Sequence, residues 1–465
     1  MKSRIMIVMK FGGTSVKDAE AIKRTVNIVK NRQSSSFVIL SALSGVTDNL
    51  IEICNYLENR KPQDAERILE HIRSRHVKLS DELGVASVCT SYINAICDEL
   101  LRVIFALDVI GEISAKSKDM IFATGELLSS FIVAEYAKSQ IDSLVFVDTR
   151  NLICTDSNFN CAEVDINNSK SKIFDFLTEY GKDYDVFVAG GFIAADHSGS
   201  TTTLGRGGSD YSAAIIAECI NADRLEIWTD VDGILTSDPR LIENAMLLKE
   251  ISYAEAAELS FFGAKVLHPK TIHPAVEANI PVYVLNSYKP DGKGTLISNN
   301  SPYSKMIKAI AFRRNITIIN ISSNRMLGAY GFLAKVFDVF LMNETSVDLV
   351  TTSEVSISLT IDDDSNLSNI INDLSTFATI DVWRNKAIIS VVGEGIRETA
   401  GIAAKFFGAL SGLNISMISM GASEVNLSIV LDESILESAV QLLHKEFFES
   451  SNLHDLFVKL NLERT

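Results

Sequence analysis

The sequence predicts an α/β protein: a mainly parallel sheet covered by helices, followed by two βαββαβ modules. Three observations carry this. Short apolar runs alternate with helical stretches through the first 300 residues, the pattern of a parallel sheet with crossover helices. All seven prolines lie at or before Pro302, five of them from Pro269 onward, so residues 286–308, rich in Gly, Ser, Asn and Pro, read as the exit from a first domain. Beyond it, residues 331–362 align without gaps on 401–432.

The candidate strands are 5–9, 37–41, 144–148, 186–189, 225–229 and 281–285. The candidate helices include 17–31, 64–83, 91–109, 124–138, 208–219 and 253–262. Residues 45–125 carry little strand signal and read as a helical insertion. In the repeat, Gly331 matches Gly401, Lys335 matches Lys405, Phe337 matches Phe407, and Ser353-Glu354-Val355 matches Ser423-Glu424-Val425. Each unit reads strand, glycine turn, amphipathic helix, strand, turn, strand. Two copies indicate a pair of modules rather than a solenoid, which needs at least three. The expected domains are 1–300, 311–385 and 386–465, with the C-terminal segment as a candidate for completing the first module.

A net charge of −16 argues against nucleic acid as a partner. Cys54, Cys89, Cys97, Cys154, Cys161 and Cys219 form no Cys-x-x-Cys pair. They read as free buried thiols in a reducing cytoplasm, not as a zinc site or disulfide framework. No signal segment and no run of about 18 apolar residues is visible, so a cytoplasmic protein without a membrane span is expected.

Five clusters could carry chemistry. In Lys10-Phe11-Gly12-Gly13-Thr14-Ser15 a strand ends in a cation beside bare backbone amides, which suits an anion such as phosphate. It is not a Walker A loop, and none occurs in the chain. Ser41–Asp48 follows another strand, where ligands bind in open α/β sheets, although taken alone it reads better as a turn with Asp48 capping the next helix. Thr124-Gly125-Glu126 reads as a helix start, with Glu126 either complementing the dipole or meeting a ligand ammonium group. Gly205-Arg206-Gly207-Gly208-Ser209-Asp210 opens a helix and suits an anion, with Arg206 as a bidentate ligand. Trp228–Gly233, with Asp230 and Asp232, leaves a turn, a metal site and a ribose site open, and does not match an EF-hand. Lys265 is a further candidate cation. With no Ser-His-Asp set and no metal-binding histidine cluster, the inventory suits phosphoryl transfer, where positioning and charge neutralisation dominate.

Taken in order, Lys10-Phe-Gly-Gly-Thr-Ser-Val, Ser41-Ala-Leu-Ser-Gly-Val-Thr, Gly205-Arg-Gly-Gly-Ser-Asp, Trp228-Thr-Asp-Val-Asp-Gly and Phe262-Gly-Ala-Lys-Val-Leu-His-Pro resemble the aspartate kinases (aspartokinases) over essentially the whole chain. The resemblance implies a three-layer αβα amino-acid-kinase fold with a mainly parallel sheet, followed by two βαββαβ (ferredoxin-like) ACT modules. It implies transfer of the γ-phosphoryl of ATP, as its Mg²⁺ complex, to the β-carboxylate of L-aspartate. The pathways implied lead to lysine, threonine and methionine, with feedback by an amino-acid effector, lysine first. It also implies a homodimer or dimer of dimers through the ACT modules.

Carried over by residue, Lys10 and Asp210 look catalytic, and Thr47, Glu126, Arg206, Gly207, Gly208 and Ser209 look like aspartate-binding residues. Lys10, Phe11, Gly12, Gly13, Thr229, Asp230, Leu235, Arg240, Lys265 and Val266 look like nucleotide contacts. No dedicated protein metal site is expected. Leu235 departs from the tyrosine many relatives carry there. Met326, Phe332, Leu333, Val347, Asp348, Ser353 and Glu354 resemble the effector site of lysine-sensitive members. No Gly-x-Gly-x-x-Gly follows the repeat, so fusion to homoserine dehydrogenase is not expected. Two alternatives are a catalytically dead amino-acid sensor and another amino-acid kinase, acting on glutamate or a related acid. The intact Lys10, Arg206 and Asp210 argue against the first. The ACT repeat and the Ser41–Thr47 motif argue against the second.

Overall fold

The computed structural model describes residues 6–32, 34–263, 269–299, 306–323, 326, 330–449 and 456–459. The chain divides into two compact units: residues 1–233 with 268–299, and residues 234–267 with 300–465. Residues 234–267, placed in the first domain from sequence, group with the second unit.

In the first unit, seven strands of one sheet run in the order Thr295–Ser298, Val282–Asn286, Arg224–Thr229, Met6–Phe11, Ser35–Leu40, Val186–Gly190, Leu144–Phe146. All neighbours are parallel except the first pair. Ser35–Leu40 and Val186–Gly190 are buried along their whole length. That burial explains why these strands read as continuous apolar runs rather than alternating ones.

Helix Ala19–Lys30 and the four helices Val46–Glu58, Pro62–Glu82, Ala86–Ile110 and Ala115–Lys138 form one covering layer. Ile166–Tyr180, Gly208–Ile220 and Pro269–Glu277 form the other. The helical insertion expected over 45–125 is thus four helices, two of which (Val46–Glu58 and the first turns of Ala115–Lys138) carry no separate sequence signal. A small sheet of Cys154–Thr155, Ile193–Asp196 and Thr201–Thr203 was not legible in the sequence, because its strands are only two to four residues long.

Helix Ala115–Lys138 is long and apolar enough to cross a membrane, but 72% of its most apolar window is buried inside the unit. It is a core helix. All six cysteines are free. Five are buried as expected, while Cys161 is exposed on a loop.

The second unit holds one six-stranded sheet in the order Val350–Thr352, Ser356–Ile361, Ala309–Ser322, Thr379–Val392, Asn426–Asp432, Met417–Met420. Its two central strands are each 14 residues long and antiparallel to each other. Each serves both modules. The half Ile316–Ser322 pairs with Ser356–Ile361 and with residues 379–386, giving the first βαββαβ unit its central strand. The half 309–313 pairs with residues 388–392 and fills the fourth strand position of the second unit. The modules are therefore interleaved through their shared strands.

The chain changes module at Asn315 (φ 58°) and Asn385 (φ 55°), 70 residues apart, the offset of the repeat. Asparagine is one of the few side chains that enters the left-handed region readily. The equivalent bends sit beside register shifts in the ladder.

The described residues of the C-terminal segment do not complete the first module. Residues 379–386 already occupy that edge of its central strand, and Phe457–Lys459 pairs instead with Met246–Leu248.

The repeat extends to side chains. Ser358 Oγ donates to Asn320 Oδ1 at 3.0 Å, and the equivalent Ser428 Oγ donates to Ser390 Oγ at 2.9 Å. Gly331 (φ 78°) and Gly401 (φ 88°) open the helices Phe332–Met342 and Ile402–Ala409. A Cβ at either position would meet nothing within 4 Å, so only backbone conformation demands glycine there. Gly331→Ala and Gly401→Ala are therefore each expected to destabilise this unit by about 1 kcal/mol. Urea unfolding of each variant checks this; an unchanged midpoint would contradict it.

Candidate active site

The parallel strands bring their C-terminal ends to one edge, the place where open α/β sheets bind ligands. Strand Met6–Phe11 lies between Arg224–Thr229 and Ser35–Leu40, so the chain departs to opposite sides of it. Lys10 stands near its end. Lys10 Nζ lies 2.7 Å from Asp210 Oδ1, and both side chains are mostly buried. Gly12 donates its N–H to the Trp228 carbonyl at 3.2 Å, holding the loop against the neighbouring strand. Ser15 then joins Ser287 through a buried hydroxyl pair at 2.8 Å. The stacked rings of Phe11 and Trp228, 5.8 Å apart, close the floor beneath. Phe11 is wholly buried, so its ring supports the loop.

Asp210 belongs to the first turn of helix Gly208–Ile220, which starts from Gly207 in the left-handed region (φ 74°). Gly191 decides where that helix begins: a Cβ there would lie 2.7 Å from Ser209 Cα. The helix N-terminus thus packs directly on the end of strand Val186–Gly190. Arg206, on the loop before it, is exposed and makes no ion pair with any described residue.

The expectation of a helix start at Thr124 is corrected. Glu126 lies in the middle of Ala115–Lys138, 3% exposed. Gly125 suggested a break; its actual reason is close packing, since a Cβ would come 2.8 Å from Ala42 Cβ. Glu126 Oε1 accepts the Ala42 N–H at 3.1 Å. Its Oε2 is buried without a partner among the described residues. Burial pushes the Glu126 carboxyl up to about 8, opposed by the Ala42 amide and by Lys10.

The Ser41–Thr47 segment wraps this point. Ser129 Oγ donates to the Ser41 carbonyl at 2.9 Å, and Arg75 donates to the Ser44 carbonyl at 2.9 Å. Thr47 is half-buried in the first turn of Val46–Glu58. Gly45 occupies the N-cap there, so Asp48 is a first-turn acid and not the cap.

Thr229 and Asp230 end the strand Arg224–Thr229, with Thr229 Oγ1 donating to Asp230 Oδ1 at 3.2 Å. Asp232 is held by Asn286 Nδ2 at 2.6 Å and Lys289 Nζ at 3.1 Å. Of the readings left open for this cluster, Asp232 is thus a turn anchor. Leu235 and Arg240 belong to the second unit, where Arg240 is exposed and fastened to Asp238 at 2.6 Å. Lys265 and Val266 lie outside the described residues.

Sequence reasoning missed Asp119, two turns before Glu126 on the same helix. Its buried carboxylate accepts from Asn160 N–H at 3.0 Å, Thr203 N–H at 3.0 Å and Thr203 Oγ1 at 2.5 Å. It anchors the strand that leads into the Arg206 loop. Nothing in its local sequence marks it.

A cavity of about 560 Å³ opens at the opposite, N-terminal edge of the strands, beside Arg32, Ser35 and Asp185. Asp185 is taken by Ser35 and Ser143, and Arg32 by Glu226.

In the second unit, Met326, Phe332 and Val347 pack on the core of the first module. Leu333 is 43% exposed at the start of its helix. Asp348 is buried and paired with Arg313 at 3.0 Å. Ser353 and Glu354 are exposed at the turn of the hairpin Val350–Ile361, at the far end from Asp348. The structure does not bring Asp348 and Glu354 together within one chain.

Residues 6–286 match the amino acid kinase family, and residues 389–447 match the ACT domain. The chain is 36% identical over 458 residues to lysine-sensitive aspartokinase 3 of Escherichia coli K12, covering 96% of this chain and 99% of that one. Two crystal structures of E. coli aspartokinase III are similar to it. The complex with lysine and aspartate (T-state) superposes with a TM-score of 0.83 at 36% identity, over 95% of this chain and 99% of the other. The complex with aspartate and ADP (R-state) gives 0.82 at 36% identity, over 95% and 100%.

Proposed function

The chain belongs to the aspartokinase family, and from that premise we propose that it transfers the γ-phosphoryl of ATP to the β-carboxylate of L-aspartate, giving 4-phospho-L-aspartate. The observation that most supports this is the Lys10–Asp210 pair at the strand ends, 2.7 Å apart and facing a helix N-terminus, with the unpartnered Glu126 Oε2 in the same unit.

The acceptor needs no general base. A free carboxyl with a pKa near 4 is already ionised at neutral pH. The barrier is repulsion between a carboxylate and a polyphosphate. Lys10 and the Gly13 amide would neutralise the transferring group, and Asp210 would hold Lys10 in place. Mg²⁺ would enter with the nucleotide, bound by phosphate oxygens and water, a mode that needs no protein cage. Glu126 would take the α-ammonium group. Arg206, free of other ion pairs, would swing onto the α-carboxylate as a bidentate clamp. Thr47, Gly207, Gly208 and Ser209 would complete the aspartate site, and Thr229 and Asp230 would meet the nucleotide.

The second unit is proposed to bring feedback inhibition by lysine through Asp348 and its neighbours. That places the reaction at the start of routes to lysine, threonine and methionine. Leu333, Phe337 and Leu341 leave an apolar stripe exposed along helix Phe332–Met342, which supports self-association through this module. Two copies would also let Glu354 of one module approach Asp348 of another.

Trapping the acyl phosphate as a hydroxamate, with aspartate against glutamate as acceptor, tests the reaction. Aspartate-dependent hydroxamate is expected. Turnover with glutamate alone would reject the assignment, and no turnover with either acceptor would leave the amino-acid-sensor reading.

A further inference from the structure

Arg313 sits on the long strand Ala309–Ser322, just before the chain bends at Asn315. Its guanidinium reaches three acceptors. It lies 3.0 Å from Asp348 Oδ1 and 2.8 Å from Asp362 Oδ2, and it donates to the backbone carbonyl of Phe261. It also lies over the Phe261 ring, 5.0 Å from the centroid. The two acids belong to the first ACT module. Phe261 ends the helix Tyr253–Phe261.

That helix is tied at its other end to the second module. Glu255 accepts from the buried Lys308 Nζ at 2.7 Å and from the Glu394 N–H at 2.7 Å. Glu258 accepts from Ser423 Oγ at 2.9 Å and Asn426 Nδ2 at 2.5 Å. The helix therefore joins the modules, and its contact with the acids of the first runs through Arg313. In the sequence, Lys265 follows Phe261 by four residues.

Among the described residues the cluster is short of one positive charge: two carboxylates face a single guanidinium. The Asp348 side chain is 4% exposed, and its Oδ2 is buried without a partner among the described residues. A buried carboxylate oxygen left bare is costly, and the group that best satisfies it is a cationic donor. Burial, and then Asp362, push the Asp348 carboxyl up to about 6 against the pull of Arg313, as expected for an acid that lacks a full counter-charge.

We propose that Arg313 couples the two halves of this unit: when the ammonium group of a cationic amino acid takes Asp348 Oδ2, Arg313 gives up the Phe261 carbonyl and releases the end of helix Tyr253–Phe261. The physical reason is competition for one charge. A second cation on Asp348 repels the guanidinium and supplies what it had supplied, so Arg313 recentres on Asp362. This deepens the feedback reading given above and rests on Asp348 being part of the effector site.

The test uses the full chain with L-lysine as the probe. Lysine binding is measured by calorimetry, and inhibition by the hydroxamate assay. Hydrogen exchange is followed in peptides spanning residues 258–263. In the wild type, saturating lysine is expected to accelerate exchange in those peptides. Arg313→Gln is expected to keep the basal kcat and to bind lysine at least as tightly as the wild type. Its inhibition at saturating lysine should fall by roughly fivefold or more. Arg313→Lys, which keeps the charge without the fork, should retain part of the inhibition.

If Arg313→Gln is inhibited as fully as the wild type, or loses lysine binding itself, the coupling role is overturned. Unchanged exchange in the lysine-bound wild type also overturns it, and needs no variant to fold. If the wild type does not bind lysine at all, the effector-site reading fails, and the coupling proposal fails with it. That outcome is distinct from tight binding without a response at the helix.

Discussion

Lys10→Met is expected to lower kcat by on the order of 10²-fold or more, the loss seen when one preorganised donor is removed from a developing anion. The residue is suited to so large an effect. Its ammonium is held 2.7 Å from Asp210 with little exposure, so it need not reorganise when the phosphoryl group passes. Methionine keeps the length and the apolar stem but removes the charge. The effect should fall on kcat more than on the KM for aspartate, because the charge is needed most where two anions approach. Steady-state kinetics with varied aspartate and ATP separate the two. A variant with kcat near the wild-type value would sink the role given to Lys10.

Glu126→Gln should act in two opposite directions. Losing the carboxylate that would face the α-ammonium group should reduce kcat/KM for aspartate by about 10²-fold, as for one partner removed from a buried charged pair. The same change should stabilise the unliganded protein at alkaline pH. The folded-state pKa of Glu126 is raised, from 4.5 to about 8. Between those values the folded chain holds a proton that the unfolded chain releases, so this group makes stability fall as pH rises through that window. Glutamine has no proton to lose.

The variant should therefore melt above the wild type at pH 8, with the gap closing towards pH 5. The KM of the wild type for aspartate should improve from pH 6 to pH 8 as the carboxylate forms, and that of the variant should not. Thermal melts and KM measured across this range check both halves. A variant with wild-type KM and no pH-dependent gain in stability would remove Glu126 from the site.

Much of this site was legible in the chain because its chemistry is local. A lysine followed by two glycines at the end of an apolar run needs no distant contact to be noticed. The same holds for three glycines around Arg206 before a helix. Other features carry no local signal. Asp119 looks like any helix acid, yet it is buried and anchors the strand before the Arg206 loop. Gly125 looked like a helix boundary, because glycine usually lowers helix propensity; its place is decided by how near Ala42 approaches. Arg313 stands in an ordinary strand sequence, and only folding shows that it spans Asp348, Asp362 and Phe261.

By itself, then, the sequence determined the α/β class, the loops at the strand ends and the presence of two related modules. Periodicity, glycine placement and internal repetition are properties of short stretches, and short stretches can be read directly. Tertiary structure decided which distant groups meet: Lys10 with Asp210, Glu126 with Ala42, and the two central strands that each serve both modules. The 70-residue repeat was visible as matching letters, but the exchange at Asn315 and Asn385 follows from strand pairing across the whole unit. Burial and pairing are set by contacts between segments far apart in the chain, and those contacts also set the charge state and reach of each side chain.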